Sequence, residues 1–244
     1  MSLQALIFDV DGTLAETEEV HRRAFNEIFV EHGIAELFPD PENQWRWSQA
    51  LYGDLLRVTG GRERIAAYAS RWLGHDPAPR SERIAALHAA KTERYAAIID
   101  REGIALRPGI AELVDDARAS GIRLAIATTT SLSNVQTLCQ AAFGQPAEQL
   151  FEVIAAGDQV PAKKPAPDIY LAALQRLGLP ADTCIALEDS ANGLSAAVAA
   201  GVRCVLSPSL YCGDDDVEAA ALRVECFREV AKVGRLKQAM AAVE

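Results

Sequence analysis

Five short apolar runs stand out from the pattern of hydrophobic and polar positions along the chain. They lie at 5–8, 122–127, 153–156, 184–187 and 202–206. The first run does not alternate with polar residues, so it predicts a strand that is buried on both faces, and the other four runs also predict strands. The stretches between the last four runs carry apolar residues at helical spacing, which indicates connecting helices. Strands joined by helices predict an α/β fold with a Rossmann-like parallel sheet.

A long stretch after the first strand has a different pattern. Residues 16–104 contain no convincing buried strand and instead have helical patterns interrupted by glycine and proline. We therefore predict a Rossmann-like core domain at 1–15 and 105–244, and an inserted α-helical cap domain at 16–104. The tail from Asp216 is also predicted to be helical.

Composition restricts the possible partners and location. The 244 residues are 50% hydrophobic and carry a formal net charge of -10, which argues against non-specific binding to nucleic acid or to an anionic membrane. The five cysteines form no C-x-x-C pair, and the sequence has neither a signal peptide pattern nor a long apolar run. We expect a reduced, cytoplasmic protein. A monomer is the expected state, although the sequence carries no direct signal of oligomerisation.

Polar residues follow each of the first four predicted strands. Asp9 and Asp11 follow the first, Thr128 to Ser131 the second, Lys164 the third, and Glu188 and Asp189 the fourth. Each feature has an ordinary explanation when taken alone, such as a turn or a helix cap. Since parallel strands end at one edge of a sheet, we expect these side chains to converge there.

The expected cluster has the chemistry of phosphoryl transfer. Carboxylates of Asp9, Glu188 and Asp189, with a backbone carbonyl and water, make an oxygen site suited to Mg²⁺. A lysine and hydroxyl groups facing the same point would hold a phosphoryl group. A carboxylate can attack phosphorus, and a second carboxylate nearby can act as general acid and base. The metal would offset the repulsion between these acids and an anionic substrate.

The ordered set Asp9-Val-Asp-Gly-Thr13, Thr128, Lys164 and Glu188-Asp189 resembles the haloacid-dehalogenase-like phosphatase superfamily. The helical insert resembles the C1 cap of that superfamily. The resemblance implies that Asp9 is the nucleophile and Asp11 the general acid/base. It also implies that Thr128 and Lys164 bind phosphate, and that Asp189, Glu188, Asp9 and the backbone carbonyl of Asp11 surround Mg²⁺.

The cap is expected to select the substrate. Lys91 and His21 fall on the apolar stripes of two predicted helices, whereas a solvated lysine would normally lie opposite. Lys91 is either a snorkelling lysine or a cation directed at the substrate, and His21 is either a satisfied core histidine or a ligand. Gly60-Gly61-Arg62 precedes a helix, so it is either an ordinary turn or a site for a second phosphate. We predict substrate contacts from six residues: Thr17, His21, Arg62, Lys91, Thr129 and Thr130.

Several stretches, including 16–27, 59–65, 90–95 and 127–131, resemble the CbbY group of this superfamily. That resemblance implies dephosphorylation of xylulose 1,5-bisphosphate to xylulose 5-phosphate. The cap also resembles that of β-phosphoglucomutase, so a phosphomutase is the alternative. A non-catalytic protein that binds a phosphorylated sugar is a second alternative, although it would not need both Asp9 and Asp11.

Overall fold

The computed structural model describes residues 3–42, 45–212 and 217–241. The chain divides into two compact units. The core unit comprises Met1–Glu16 and Ile104–Glu244, and the inserted unit comprises Thr17–Gly103.

One parallel sheet forms the centre of the core unit. Its strands within the described residues are β1 (Ala5–Phe8), β2 (Arg123–Ala127), β3 (Val153–Ala155), β4 (Cys184–Glu188), β5 (Arg203–Leu206) and β6 (Leu222–Arg223). Their order is β3-β2-β1-β4-β5-β6, and every neighbouring pair is parallel. The predicted α/β class with a Rossmann-like sheet is therefore confirmed.

Strand β1 is buried on both faces, as its continuous apolar sequence predicts. Leu6 and Phe8 belong to the hydrophobic cluster on one face of the sheet. Ala5 and Ile7 belong to the cluster on the other face. Successive side chains of a strand point to opposite faces, so two packed layers require apolar residues at every position.

The described residues of the inserted unit form helices and the turns and loops that join them, without a strand. Its α-helices are α1 (Glu18–Glu31), α2 (Ile34–Leu37), α3 (Gln49–Leu55), α4 (Gly61–Ala67) and α5 (Ser81–Glu102). A π-helical turn, Tyr68–Trp72, and a 3₁₀ turn, Ala78–Arg80, lie between α4 and α5. Its core contains an aromatic cluster in which Phe29 and Tyr68 each contact the rings of both Trp45 and Trp47.

Within the described residues, five α-helices of the core unit lie between strands along the chain, and a sixth follows β6. They are α6 (Ile110–Ala119), α7 (Leu132–Phe143), α8 (Ala147–Leu150), α9 (Asp168–Leu177), α10 (Ala191–Ala199) and α11 (Val233–Ala241). Helices α7 and α10 begin after serine caps, because the hydroxyl of Ser131 accepts from the amide of Asn134 and that of Ser190 from Gly193. No described helix has the length and hydrophobicity needed to span a bilayer.

The prediction of a helical tail from Asp216 is wrong for most of its length. Asp216 itself lies outside the described residues, but the chain from 217 first contributes β6, where Leu222 pairs with Val205. A 3₁₀ turn, Phe227–Val230, follows, and only α11 is an α-helix. Edge pairing with β5 and burial of Phe227 and Val230 in the core outweigh the helical preference of the flanking residues.

Candidate active site

The predicted site residues of the core unit follow neighbouring strands at one edge of the sheet. Asp9 follows β1, Thr128 follows β2, and Glu188 ends β4, directly before Asp189. In the parallel register, Phe8 pairs with Ile126 on one side and with Leu187 on the other. The strand order reverses between β1 and β4, which is where α/β sheets of this type bind ligands.

A buried lysine joins two of the carboxylates. The Nζ atom of Lys164 donates to Oδ1 of Asp9 at 2.7 Å and to Oε1 of Glu188 at 2.5 Å. All three side chains are buried, with at most 6% of any residue exposed. Lys164 lies in the loop between β3 and α9, so folding brings it to residues that are far away in sequence.

The charges in this cluster perturb one another. Burial raises the pKa of Asp9 well above its usual value, and the charge of Lys164 opposes this while Glu188 and Asp189 reinforce it. Burial lowers the pKa of Lys164, but Asp9 and Glu188 raise it by more, so the net shift is upward. Lys164 therefore keeps its positive charge at neutral pH.

Three acids in the cluster fit a hard cation. Ligand atoms of Asp9, Glu188 and Asp189 all lie within 4.8 Å of one another. Oε2 of Glu188 is buried and has no hydrogen-bond partner among the described residues. A buried carboxylate oxygen without a donor is costly, and three carboxylates exceed the charge of one lysine. Oxygen ligands of this type and number suit Mg²⁺.

Tyr170 belongs to this cluster and was not predicted from the sequence. Its hydroxyl donates to Oε1 of Glu188 at 2.6 Å, and Nζ of Lys164 lies 5.2 Å from the centre of its ring. Burial raises the pKa of Tyr170, and the charge of Glu188 adds to this effect. The sequence did carry a signal, because Tyr170 lies on the apolar stripe of α9. A tyrosine buried there needs a hydrogen-bond partner for its hydroxyl, and a nearby carboxylate can provide one.

Two glycines allow the backbone to approach the acids closely. Gly12 has φ of +82°, and a Cβ atom there would lie 2.0 Å from Oδ2 of Asp189. A Cβ atom at Gly193, in the first turn of α10, would lie 1.9 Å from Oε2 of Glu188. The carboxylates of Glu188 and Asp189 are thus held in spaces that exist only because these positions lack side chains.

Hydrogen bonds fix the loop that follows β2. Thr128 is buried, and its Oγ1 accepts from the amide of Thr130 at 3.2 Å. Oγ1 of Thr130 in turn accepts from Nδ2 of Asn134 at 2.9 Å. The backbone of Thr129 packs against Gly157. A Cβ atom added at Gly157 would lie 2.2 Å from the carbonyl oxygen of Thr129. That Thr129 and Thr130 contact substrate remains a prediction.

The inserted unit contains a buried pair formed by two predicted substrate residues. Nζ of Lys91 lies 2.5 Å from Nδ1 of His21, whose ring stacks on Tyr95 with centroids 4.2 Å apart. Only 4% of Lys91 is exposed, so the snorkelling interpretation is wrong. Lys91 also lies over the ring of Phe25, at 4.8 Å from its centre. The Nδ1 atom of His21 is engaged in this contact. That His21 and Lys91 contact substrate remains a prediction.

Thr17 and Arg62 occupy the starts of helices in the inserted unit. Thr17 is buried, and its carbonyl accepts from the amide of His21. Arg62 is exposed in the first turn of α4, whereas Arg64 is buried and donates to the hydroxyl of Tyr52. Of the two arginines, Arg62 is therefore the one whose guanidinium is accessible to a solute.

Comparison with known proteins identifies the family. The profile of the haloacid dehalogenase-like hydrolases matches residues 3–201. Protein CbbY of Rhodobacter capsulatus is 56% identical over 224 residues, covering 92% of this chain and 93% of its own. The prediction that the chain is a hydrolase related to CbbY is therefore confirmed.

Solved structures agree with this assignment. The crystal structure of a mutant of CbbY from Rhodobacter sphaeroides, in complex with xylulose-(1,5)bisphosphate, has a TM-score of 0.86 at 50% identity. The match covers 95% of this chain and 98% of the CbbY chain. β-Phosphoglucomutase of Clostridium difficile has a TM-score of 0.77 at 20% identity, covers 99% of this chain and 98% of its own, and shows the shared fold alone. The chain therefore belongs to the haloacid dehalogenase-like hydrolase family and, within it, to the CbbY group.

Proposed function

We propose that this chain is a Mg²⁺-dependent phosphatase that hydrolyses xylulose 1,5-bisphosphate to xylulose 5-phosphate. The observation that carries the proposal is the buried contact of Lys164 with Asp9 and Glu188, inside a cluster of three carboxylates. A lysine that keeps its charge beside a buried carboxylate suits an anionic phosphoryl group. The sugar is proposed because the related CbbY structure holds xylulose-(1,5)bisphosphate.

Asp9 is the proposed nucleophile. Lys164 holds its Oδ1 atom, which leaves Oδ2 to attack phosphorus. Attack forms an aspartyl-phosphate and breaks the bond between phosphorus and the sugar oxygen, which takes a proton from Asp11. Water then attacks the phosphoryl group, gives a proton to Asp11, and releases inorganic phosphate with Asp9 restored. Lys164 and Thr128 would hold the phosphoryl oxygens in both steps.

The residues proposed to hold Mg²⁺ are Asp9, Glu188 and Asp189, with the main-chain carbonyl of Asp11. When bound, the ion would screen the repulsion between the nucleophile and the phosphoryl group and stabilise the charge that develops during transfer. Tyr170 and Lys164 both donate to Oε1 of Glu188 and so direct its Oε2 atom towards a further partner.

Substrate selection is assigned to residues of the inserted unit and of the loop after β2. Six residues are proposed to contact the sugar or its second phosphate: Thr17, His21, Arg62, Lys91, Thr129 and Thr130. Arg62 is proposed for the phosphate that is not cleaved, because its guanidinium is exposed and can bind an anion with two parallel hydrogen bonds.

Product analysis with xylulose 1,5-bisphosphate and Mg²⁺ tests the proposal. We expect inorganic phosphate and xylulose 5-phosphate, and no phosphate release by Asp9→Asn. Asp115→Asn, at an exposed position of α6, is the matched control and should remain active. An isomerised monophosphate formed without phosphate release would support a phosphomutase instead. Binding without turnover across sugar mono- and bisphosphates would support a regulator.

A further inference from the structure

Arg107 is a buried arginine at the point where the chain returns from the inserted unit to the core unit. Its amide donates to the carbonyl of Leu14 at 2.8 Å, and the adjacent Leu106 forms an antiparallel bridge with Ala15. The side chain is only 8% exposed and its guanidinium lies 5.2 Å from the ring centre of Phe227. Burial of an arginine is unusual unless its donors are satisfied.

Both terminal nitrogens of this guanidinium donate hydrogen bonds, and its Nε atom forms an ion pair. Nη1 donates to the carbonyls of Gly12 and Ser207, at 2.6 and 2.8 Å. Nη2 donates to Oγ of Ser207 at 3.0 Å and to the carbonyl of Pro208 at 2.9 Å. Nε lies 3.2 Å from Oε1 of Glu16. Five donors in a fixed plane are a property of arginine that lysine does not share.

The acceptor at Gly12 connects Arg107 to the proposed acid/base. Gly12 directly follows Asp11, in a turn where its own amide donates to the carbonyl of Ala15 and the amide of Leu14 donates to the carbonyl of Val10. The guanidinium connects this turn to the segment after β5 and to Glu16. Hydrogen bonds to the carbonyls of Val10 and Gly12 therefore hold the backbone on either side of Asp11.

We propose that Arg107 is a positioning residue that aligns Asp11 for proton transfer. This inference rests on the proposed function, in which Asp11 first protonates the sugar oxygen and then takes a proton from water. Small displacements of a catalytic group reduce rates strongly, and about 1 Å can cost a hundredfold. Loss of the guanidinium should therefore impair the two steps in which Asp11 acts and spare attack by Asp9.

An aryl phosphate substrate allows attack by Asp9 and hydrolysis of the aspartyl-phosphate to be measured separately. Nitrophenolate leaves without protonation, so attack by Asp9 on p-nitrophenyl phosphate does not need Asp11. Hydrolysis of the aspartyl-phosphate that results still needs Asp11, because water must lose a proton. Misalignment of Asp11 should therefore produce a fast burst of nitrophenolate, up to about one per enzyme, before slow turnover.

Arg107→Lys is the test variant, with Asp11→Asn as the benchmark. We expect kcat for xylulose 1,5-bisphosphate to fall by about 10- to 100-fold with little change in KM. With p-nitrophenyl phosphate we expect a burst larger than that of the wild type and similar in form to that of Asp11→Asn. Arg123→Lys, which alters an ion pair with Glu152 elsewhere in the core unit, is the control and should show neither change.

A purely structural role for Arg107 predicts a different result. If folded Arg107→Lys lowers both activities by the same factor and the burst does not grow, the proposal is overturned. If Arg107→Lys does not fold, Ser207→Ala is the second test variant. It removes one hydrogen-bond acceptor of the Nη2 atom of Arg107 and keeps the arginine itself. A growing burst in Ser207→Ala supports the proposal, and an unchanged burst overturns it. A wild type inactive on both substrates would instead overturn the proposed phosphatase function.

Discussion

The hydroxyl of Tyr170 lies 2.6 Å from Oε1 of Glu188 and donates a hydrogen bond to it. Lys164 donates to the same oxygen, so both donors act on one side of the carboxylate. The opposite oxygen, Oε2, is buried and has no hydrogen-bond partner among the described residues. Tyr170 and Lys164 thus orient Glu188 with one oxygen available for a cation or for water bound to one.

Tyr170→Phe should weaken Mg²⁺ binding by about 10-fold or more, because groups that orient metal ligands typically contribute this much to affinity. At saturating Mg²⁺, kcat should remain close to that of the wild type, since Tyr170 has no role in the proposed proton transfers. Calorimetric titration of the substrate-free enzyme with Mg²⁺ measures the effect directly.

Tyr68→Phe is the matched control for this variant. The hydroxyl of Tyr68 also donates to a buried carboxylate, at 2.8 Å from Oδ2 of Asp40, but in the inserted unit. Both variants should lose about 1.5–3 kcal/mol of stability, as expected for a hydrogen bond to a charged group. Equal Mg²⁺ affinity in both variants would show that Tyr170 only stabilises the fold.

Gly193→Ala should disrupt the same site from the opposite side. The added Cβ atom would lie 1.9 Å from Oε2 of Glu188, so the carboxylate must move. We expect Mg²⁺ affinity and Mg²⁺-dependent phosphate release to fall by at least 10-fold. Metal titration and a phosphate assay over a range of Mg²⁺ concentrations measure both.

Gly234→Ala is the control for Gly193→Ala, because a Cβ atom at Gly234 in α11 meets nothing within 4 Å. Replacement of glycine within a helix at such a site should add about 0.5–1 kcal/mol of stability. Normal Mg²⁺ affinity in Gly193→Ala would contradict the close packing of α10 against Glu188.

Burial of three cysteines predicts selective alkylation. Burial raises the pKa of the Cys139 thiol to about 12, and it also raises the pKa values of Cys184 and Cys204. These thiols stay protonated well above neutral pH, and only a thiolate reacts rapidly. At pH 8 we expect iodoacetamide to modify Cys212 and Cys226, which are partly exposed, before the other three. Peptide mass spectrometry checks this order, and denatured protein, in which all five should react, is the control.

The sequence predicts the part of the site that depends on strand ends. A continuous apolar run locates β1, and a parallel sheet brings the residues after β1, β2 and β4 to one edge. Asp9, Thr128, Glu188 and Asp189 could therefore be placed without coordinates, because the arrangement follows from topology alone.

The contacts between elements could not be predicted in this way. The bond from Tyr170 to Glu188 depends on the rotation of α9 against the sheet, and the pair of Lys91 with His21 depends on how α5 crosses α1. Arg107 precedes proline and glycine, a pattern that indicates only a turn. Strand β6 has two residues, too few for a periodic pattern, which is why the tail was predicted to be helical.

Arg62→Ala should separate the two phosphates of the proposed substrate. If the exposed guanidinium binds the phosphate that is not cleaved, its loss should raise KM for xylulose 1,5-bisphosphate by about 10-fold, since a charge-assisted hydrogen bond contributes about 1.5–3 kcal/mol. KM for p-nitrophenyl phosphate, which has no second phosphate, should stay the same. Arg71→Ala, at another exposed arginine of the inserted unit, should change neither value. Steady-state kinetics with the two substrates measures both KM values. An equal rise in both would show that Arg62 does not bind the second phosphate.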